Sequence, residues 1–141
     1  MSFAVSVLLV ASLLAGCGRN AYKVAGNKVT VSVARPEPGG ARKVRFQVLG
    51  DKIIRISATP DRKFHDRKSL VVLPQEPSGD FTVAETAEGI RLETGSCAVV
   101  VRPDGSIWHY DAEGTLLQGD GRFTFDPIEV EGKKALSVGL Q

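Results

Sequence analysis

The chain has 141 residues, 43% of them hydrophobic, with 18 Lys and Arg against 16 Asp and Glu and a net charge of +2. That length suits about one domain. The basic residues are interleaved with acidic ones and form no Lys/Arg-rich run, which excludes the electrostatic footprint of a nucleic-acid-binding protein.

Phe3 to Gly16 carry no charge. The stretch is as long as the apolar region of a signal peptide and shorter than the ~20 residues a bilayer-spanning helix needs. It ends in Leu14-Ala15-Gly16-Cys17, which resembles the lipobox of bacterial lipoproteins: a branched aliphatic residue, two small residues, then Cys. Small residues let an extended backbone enter a peptidase site, and the free thiol takes a diacylglycerol through a thioether. Lipoprotein maturation then acylates the new α-amine, and several acyl chains hold where one is marginal. The resemblance implies a removed signal segment over residues 1–16, lipid on Cys17, the membrane as partner, and a cell-envelope location, periplasmic or outer-membrane. Met1-Ser2-Phe3 departs from the pattern, since it lacks the basic residue of a signal peptide's start. Either the start lies upstream or the export signal is weak. Gly18-Arg19-Asn20 breaks the apolar run. Residues 17–26 are expected to form a tether, and residues 27–141 the folded domain.

From there the hydrophobic period is 2. Lys28 to Ala34 alternates Val29, Val31 and Val33 with polar partners, and Arg42 to Val48 alternates Val44, Phe46 and Val48, as half-buried strands do. Gly50-Asp51 leads into Lys52 to Ala58, and a Gly-led two-residue loop predicts a type II′ hairpin. Asp61 to Lys68 reads as a charged, solvated loop, and Ser69 to Leu73 as a short apolar strand. Asp80 to Thr86 and Gly89 to Thr94 alternate again. Cys97 to Val101 is apolar throughout, which predicts cover on both faces. Arg102-Pro103-Asp104-Gly105 is a turn with Pro at its second and Gly at its fourth position. Ser106 to Tyr110 is a strand, Asp111 to Gly114 a turn, and Thr115 to Gln118 a short strand. Gly119-Asp120-Gly121 reads as a turn. Phe123, Phe125, Ile128 and Val130 follow, Glu131-Gly132 turns, and Ala135 to Leu140 is a last strand. No window of the mature chain shows helical spacing, so the expectation is an all-β antiparallel sandwich or barrel.

The chemistry-bearing residues are sparse. His65 and His109 lie 44 positions apart, outside any metal-pair spacing, and no cofactor is implied. With Cys17 lipidated, Cys97 is the one remaining thiol, has no intramolecular disulfide partner, and reads as a small buried hydrophobe. The carboxylates fall mostly at turns. One cluster stands out: Trp108-His109-Tyr110-Asp111 sets the two aromatics on one face of a strand and His109 on the other. Two readings are open. The aromatics are core and His109 is on the surface, or the four residues form a carbohydrate contact in which a sugar stacks on the rings and bonds to His109 and Asp111.

The order of elements resembles the N-terminal β-sandwich of glycoside hydrolase family 31, the α-glucosidase and α-xylosidase family. The residues carrying this are Val44 to Val48 followed by Asp51 to Ile56, then Phe64 through Val72, and above all Ala98 to Trp108 with Asp111 and Gly114. The last run is similar to the family's strand–turn–strand segment. The resemblance spans about residues 22–141 and implies a galactose-mutarotase-like antiparallel β-sandwich that precedes a catalytic (β/α)8 barrel. The family's catalytic aspartates lie in that barrel, so no catalytic residue carries over. The resemblance implies a truncated, non-catalytic front domain whose partner is the missing barrel. The alternative is a standalone envelope lipoprotein domain that binds carbohydrate or a protein partner. A sandwich interrupted there should expose its last strand, with Leu136, Val138 and Leu140 on one face.

Overall fold

The computed structural model describes residues 21–65 and 79–141. It contains eleven strands: β1 (Tyr22–Ala25), β2 (Lys28–Ser32), β3 (Lys43–Gly50), β4 (Ile53–Thr59), β5 (Phe81–Glu85), β6 (Ile90–Thr94), β7 (Cys97–Val101), β8 (Ile107–Asp111), β9 (Leu116–Gly121), β10 (Phe123–Val130) and β11 (Lys133–Leu140). No helix occurs among the described residues. The strands form a four-stranded sheet in the order β1-β2-β3-β4, a five-stranded sheet in the order β5-β6-β7-β8-β9, and the hairpin β10-β11, with every pairing antiparallel.

Period-2 alternation explains the layers. Val29 and Val31 of β2 and Val44, Phe46 and Val48 of β3 point to one side, while the residues between them stay partly solvated. From the other sheet, Ile90, Leu92, Val99, Val101 and Ile107 meet them in one buried cluster, which Phe125 of β10 joins. This is an antiparallel β-sandwich. Phe46 and Leu92 are its largest fully buried side chains. In β7 the residues Ala98, Val99, Val100 and Val101 are all buried, so both faces of that strand are covered as its continuous apolar run predicts.

The turns follow the residue types. Gly105 N–H donates to Arg102 O at 2.9 Å, and Gly105 takes φ +91°, closing the Pro103-Asp104 turn. Glu131 and Gly132 both have positive φ, 50° and 72°, which is a type I′ hairpin whose twist matches its strands.

Three expectations are corrected. Residues 22–25, expected within the tether, form β1, because the Gly26-Asn27 turn folds Tyr22 back beside Val31. Gly50 ends β3 without the positive φ a type II′ turn needs. The turn is Asp51-Lys52, and the register shifts between Val48 and Gly50. Gly119-Asp120-Gly121 is the end of β9 rather than a turn, with Asp120 alone kinked to φ 58°. The expected strand Ser69 to Leu73, part of the charged loop Asp61 to Lys68, and Cys17 with its signal segment lie outside the described residues.

Candidate functional site

Strand β8 carries the cluster and sits between β7 and β9. Its register decides which way each side chain points. Trp108 lies opposite Val100, Tyr110 opposite Ala98, and His109 opposite Val99. Val99 belongs to the inter-sheet core, so His109 faces inward and the two aromatics face outward. This reverses the first reading of the cluster, in which the rings were core. Nothing in residues 106–110 taken alone distinguishes the faces. Pairing with β7 does, because Val99, which lies opposite His109, belongs to the inter-sheet core.

The outward rings cover the outer side of β7. Trp108 and Tyr110 are half-buried over Val100 and Ala98, which are 1% exposed. The Arg102 guanidinium stacks on Trp108 at 3.7 Å from the ring centroid. Gly119 backs the ring so closely that an added Cβ would sit 2.8 Å from Cζ3. The Trp108 ring therefore already has a stacking partner, and a sugar would have to displace Arg102 to use that face. Tyr110 is more open. Arg91 lies 5.4 Å above its ring and is held by Glu93 at 3.0 Å, and the hydroxyl reaches Glu88 at 3.5 Å. Asp111 is occupied as a turn cap, accepting the Thr115 N–H at 2.6 Å.

His109 has no hydrogen-bond partner at its buried Nδ1. Burial pushes its pKa below the usual histidine value, because the imidazolium loses hydration without gaining a partner.

A second constellation joins residues that the sequence keeps far apart. Trp108 Nε1–H donates to Ser106 Oγ at 3.3 Å, and Ser106 Oγ–H donates to Asp104 Oδ1 at 2.8 Å. Arg122 Nη2–H donates to Asp104 Oδ2 at 3.1 Å and to Asp120 Oδ1 at 2.9 Å, and Nη1–H donates to Glu37 Oε1. Burial works to raise the Asp104 pKa, but hydrogen bonds from Ser106 and the Arg122 charge outweigh it and hold the carboxyl below the usual range. The hydrogen bonds from Arg122, to Glu37 first and then Asp120, raise its own pKa further. No spacing in the sequence announces this network, since Glu37 and Arg122 are 85 residues apart.

Arg122 therefore gathers three carboxylates as a structural clamp rather than leaving two of them facing each other across a cleft. Among the described residues no group of three or more His, Cys, Asp or Glu could hold a metal ion. A cavity of about 280 Å³ opens between the sheets beside Val31, Ser32, Thr86, Ile90 and Val101, and none of Trp108, His109, Tyr110 or Asp111 lines it.

No known protein-family profile matches the chain. Solved structures do. A family 31 α-xylosidase from Xanthomonas citri is similar over 82% of this chain at 34% identity with a TM-score of 0.68, and the match takes in 13% of that enzyme's chain. A family 31 α-xylosidase from a soil metagenome, solved with xylose, shares the fold over 74% of this chain at 21% identity with a TM-score of 0.53, and 14% of its own chain is matched. The chain thus spans about one-seventh of the length of these enzymes. Its β-sandwich resembles one segment of the glycoside hydrolase family 31 α-xylosidases.

Proposed function

We propose that this chain is a non-catalytic N-terminal β-sandwich of a lipid-anchored family 31 glycoside hydrolase, of α-xylosidase or α-glucosidase type, whose catalytic barrel lies outside the sequence. The observation that carries this reading is the asymmetric match, 82% of this chain against 13% of the Xanthomonas enzyme. The chemistry agrees with it. Hydrolysis of a glycosidic bond uses two carboxylates on either side of that bond, whereas Glu37, Asp104 and Asp120 all converge on Arg122. In this reading the domain serves carbohydrate metabolism by supporting a catalytic partner, and Cys17 holds the assembly in the cell envelope.

The test is a segment exchange. Replacing the matched segment of the Xanthomonas α-xylosidase by residues 21–141 should give a folded enzyme that hydrolyses an aryl α-xyloside, while this chain alone shows no turnover above background. Turnover by the purified chain that disappears when one of its Asp or Glu residues is replaced would overturn the proposal.

A further inference from the structure

One face of the four-stranded sheet is turned to the core, and the other is basic. Val29, Val31, Val44, Phe46 and Val48 point inward, so Lys28, Lys43 and Arg45 point outward by alternation. Register adds two more. Lys23 lies opposite Thr30, and Arg55 opposite Gln47, which puts both on the outer side. Lys28, Gln47 and Arg55 form one row across β2, β3 and β4, and Lys23, Thr30, Arg45 and Ser57 form the next across all four strands. Lys23, Lys28, Lys43, Arg45 and Arg55 thus share the outer face, and no Asp or Glu lies within β1 to β4. Lys23, Lys28 and Arg55 are exposed. Among the described residues no carboxylate pairs with Lys23, Lys28, Lys43 or Arg55. Arg45 has its own contact, with its guanidinium 4.0 Å from the Phe64 ring centroid.

The acids nearest this face stand at its rim and meet bases there. Asp51, in the β3-β4 turn, is followed by Lys52, and Asp61, past the end of β4, by Arg62 and Lys63. Asp80 follows Gly79, which lies against Gly50 and Asp51. Glu37, in the loop between β2 and β3, is drawn to Arg122. The rim is close to balanced, and the surplus of positive charge belongs to the face. Such a face is complementary to an extended anionic surface. Chain continuity chooses which one. β1 is an edge strand of this same sheet. Its Lys23 comes six residues after Cys17, a distance that an extended chain spans in at most ~20 Å.

We propose that the outer face of the β1-β4 sheet lies on an anionic phospholipid bilayer, with Lys23, Lys28, Lys43 and Arg55 against the headgroups. This builds on the reading of Cys17 as the lipid anchor. Acyl chains hold the protein at one point and leave the domain free to turn about it. The basic face removes that freedom, because attraction between Lys or Arg and anionic lipid acts only within a Debye length, ~8 Å at physiological salt. A short tether keeps the sheet near enough for this second signal to add to the first. The five-stranded sheet, with Trp108 and Tyr110 on its outer side, then faces away from the bilayer.

The test separates the face from the anchor. The full chain carrying Cys17→Ser takes no thioether lipid, and its apolar residues 3–16 bind neutral and anionic bilayers alike. The measurement is its binding to vesicles of phosphatidylcholine with phosphatidylglycerol, divided by its binding to vesicles of phosphatidylcholine alone. Whether Cys17 is acylated in the wild type does not enter this ratio, so failure of the anchor and failure of the face are read separately. The ratio should exceed ~10 at low salt and fall as salt is raised, since one Lys or Arg at an anionic surface is worth ~5-fold. Lys28→Gln with Arg55→Gln, at two exposed sites of one row, should lower it ~10-fold or more. Lys133→Gln with Lys134→Gln makes the same change in net charge on the β10-β11 hairpin and should leave it unchanged. A ratio near one for the Cys17→Ser chain overturns the proposal. So do equal effects of the two pairs, which would assign the attraction to net charge. Retention on heparin that Lys28→Gln with Arg55→Gln abolishes, together with a vesicle ratio near one, would assign the face to a soluble polyanion and overturn it as well.

Discussion

His109 shows how one position on a strand is set by its neighbours. Its imidazole faces the inter-sheet core because Val99 lies opposite, and its Nδ1 is buried without a partner. Burial depresses its pKa, so the folded protein binds fewer protons there than the unfolded chain does. Stability should accordingly rise with pH through the region below the unfolded value of ~6.5 and level off above it. Its contribution is present at neutral pH and is lost as the pH falls. His109→Gln should flatten this dependence. Urea unfolding at about pH 5 and about pH 7.5 checks it, and an unchanged slope would show that another group is responsible. Trp108 and Tyr110, one residue to either side, have the opposite task, because their rings shield Val100 and Ala98 from water. Alternation was legible in residues 106–110. The sign of that alternation was not, because β7 is apolar on both faces and presents no polar side to avoid.

Among the elements, hairpins do most of the organising, and glycine matters unequally in them. In the β5-β6 hairpin Thr86 and Gly89 exchange backbone hydrogen bonds at 2.8 and 3.3 Å. Gly89 has φ +148°, and a Cβ there would lie 2.1 Å from Val101 O. Gly89→Ala must push β6 off the end of β7, and it should cost at least the ~1–3 kcal/mol of an overpacked site. Gly114, in the β8-β9 turn, also has positive φ, 84°, but nothing lies within 4 Å of its added Cβ. Gly114→Ala should cost only the ~1–2 kcal/mol of a left-handed alanine. Thermal unfolding of the two variants side by side tests the ranking, and equal losses would refute the steric argument. The Glu131-Gly132 and Asp111–Gly114 turns could be read from residue types alone. The Asp51-Lys52 turn could not, because a register shift in β3 carries Gly50 into the strand and leaves the next two residues to reverse the chain.

For the whole molecule, the proposed anchor and the proposed catalytic partner are one question. If Cys17 carries lipid, Cys17→Ser should move the protein from the membrane fraction to the soluble fraction and abolish incorporation of radiolabelled fatty acid. Unchanged labelling would rule the anchor out. The domain that would be anchored holds together through a core contributed by both sheets, with Phe125 of the last hairpin joining it. Most of that core was readable beforehand, since period-2 patterning singled out Val29, Val31, Val44, Phe46 and Val48, and buried strands need no long-range information to be recognised as apolar. The exposed stripe Leu136, Val138 and Leu140 was expected too, as the last strand of a sandwich read by its resemblance as interrupted. The clamp of Arg122 on Glu37, Asp104 and Asp120 was not, and neither was the inward turn of His109. Patterning along a strand is a local property, written into every second residue. Which strands lie side by side, and therefore which charges meet and which edges stay open, depends on contacts between residues tens of positions apart, and these exist only once the sheets have packed.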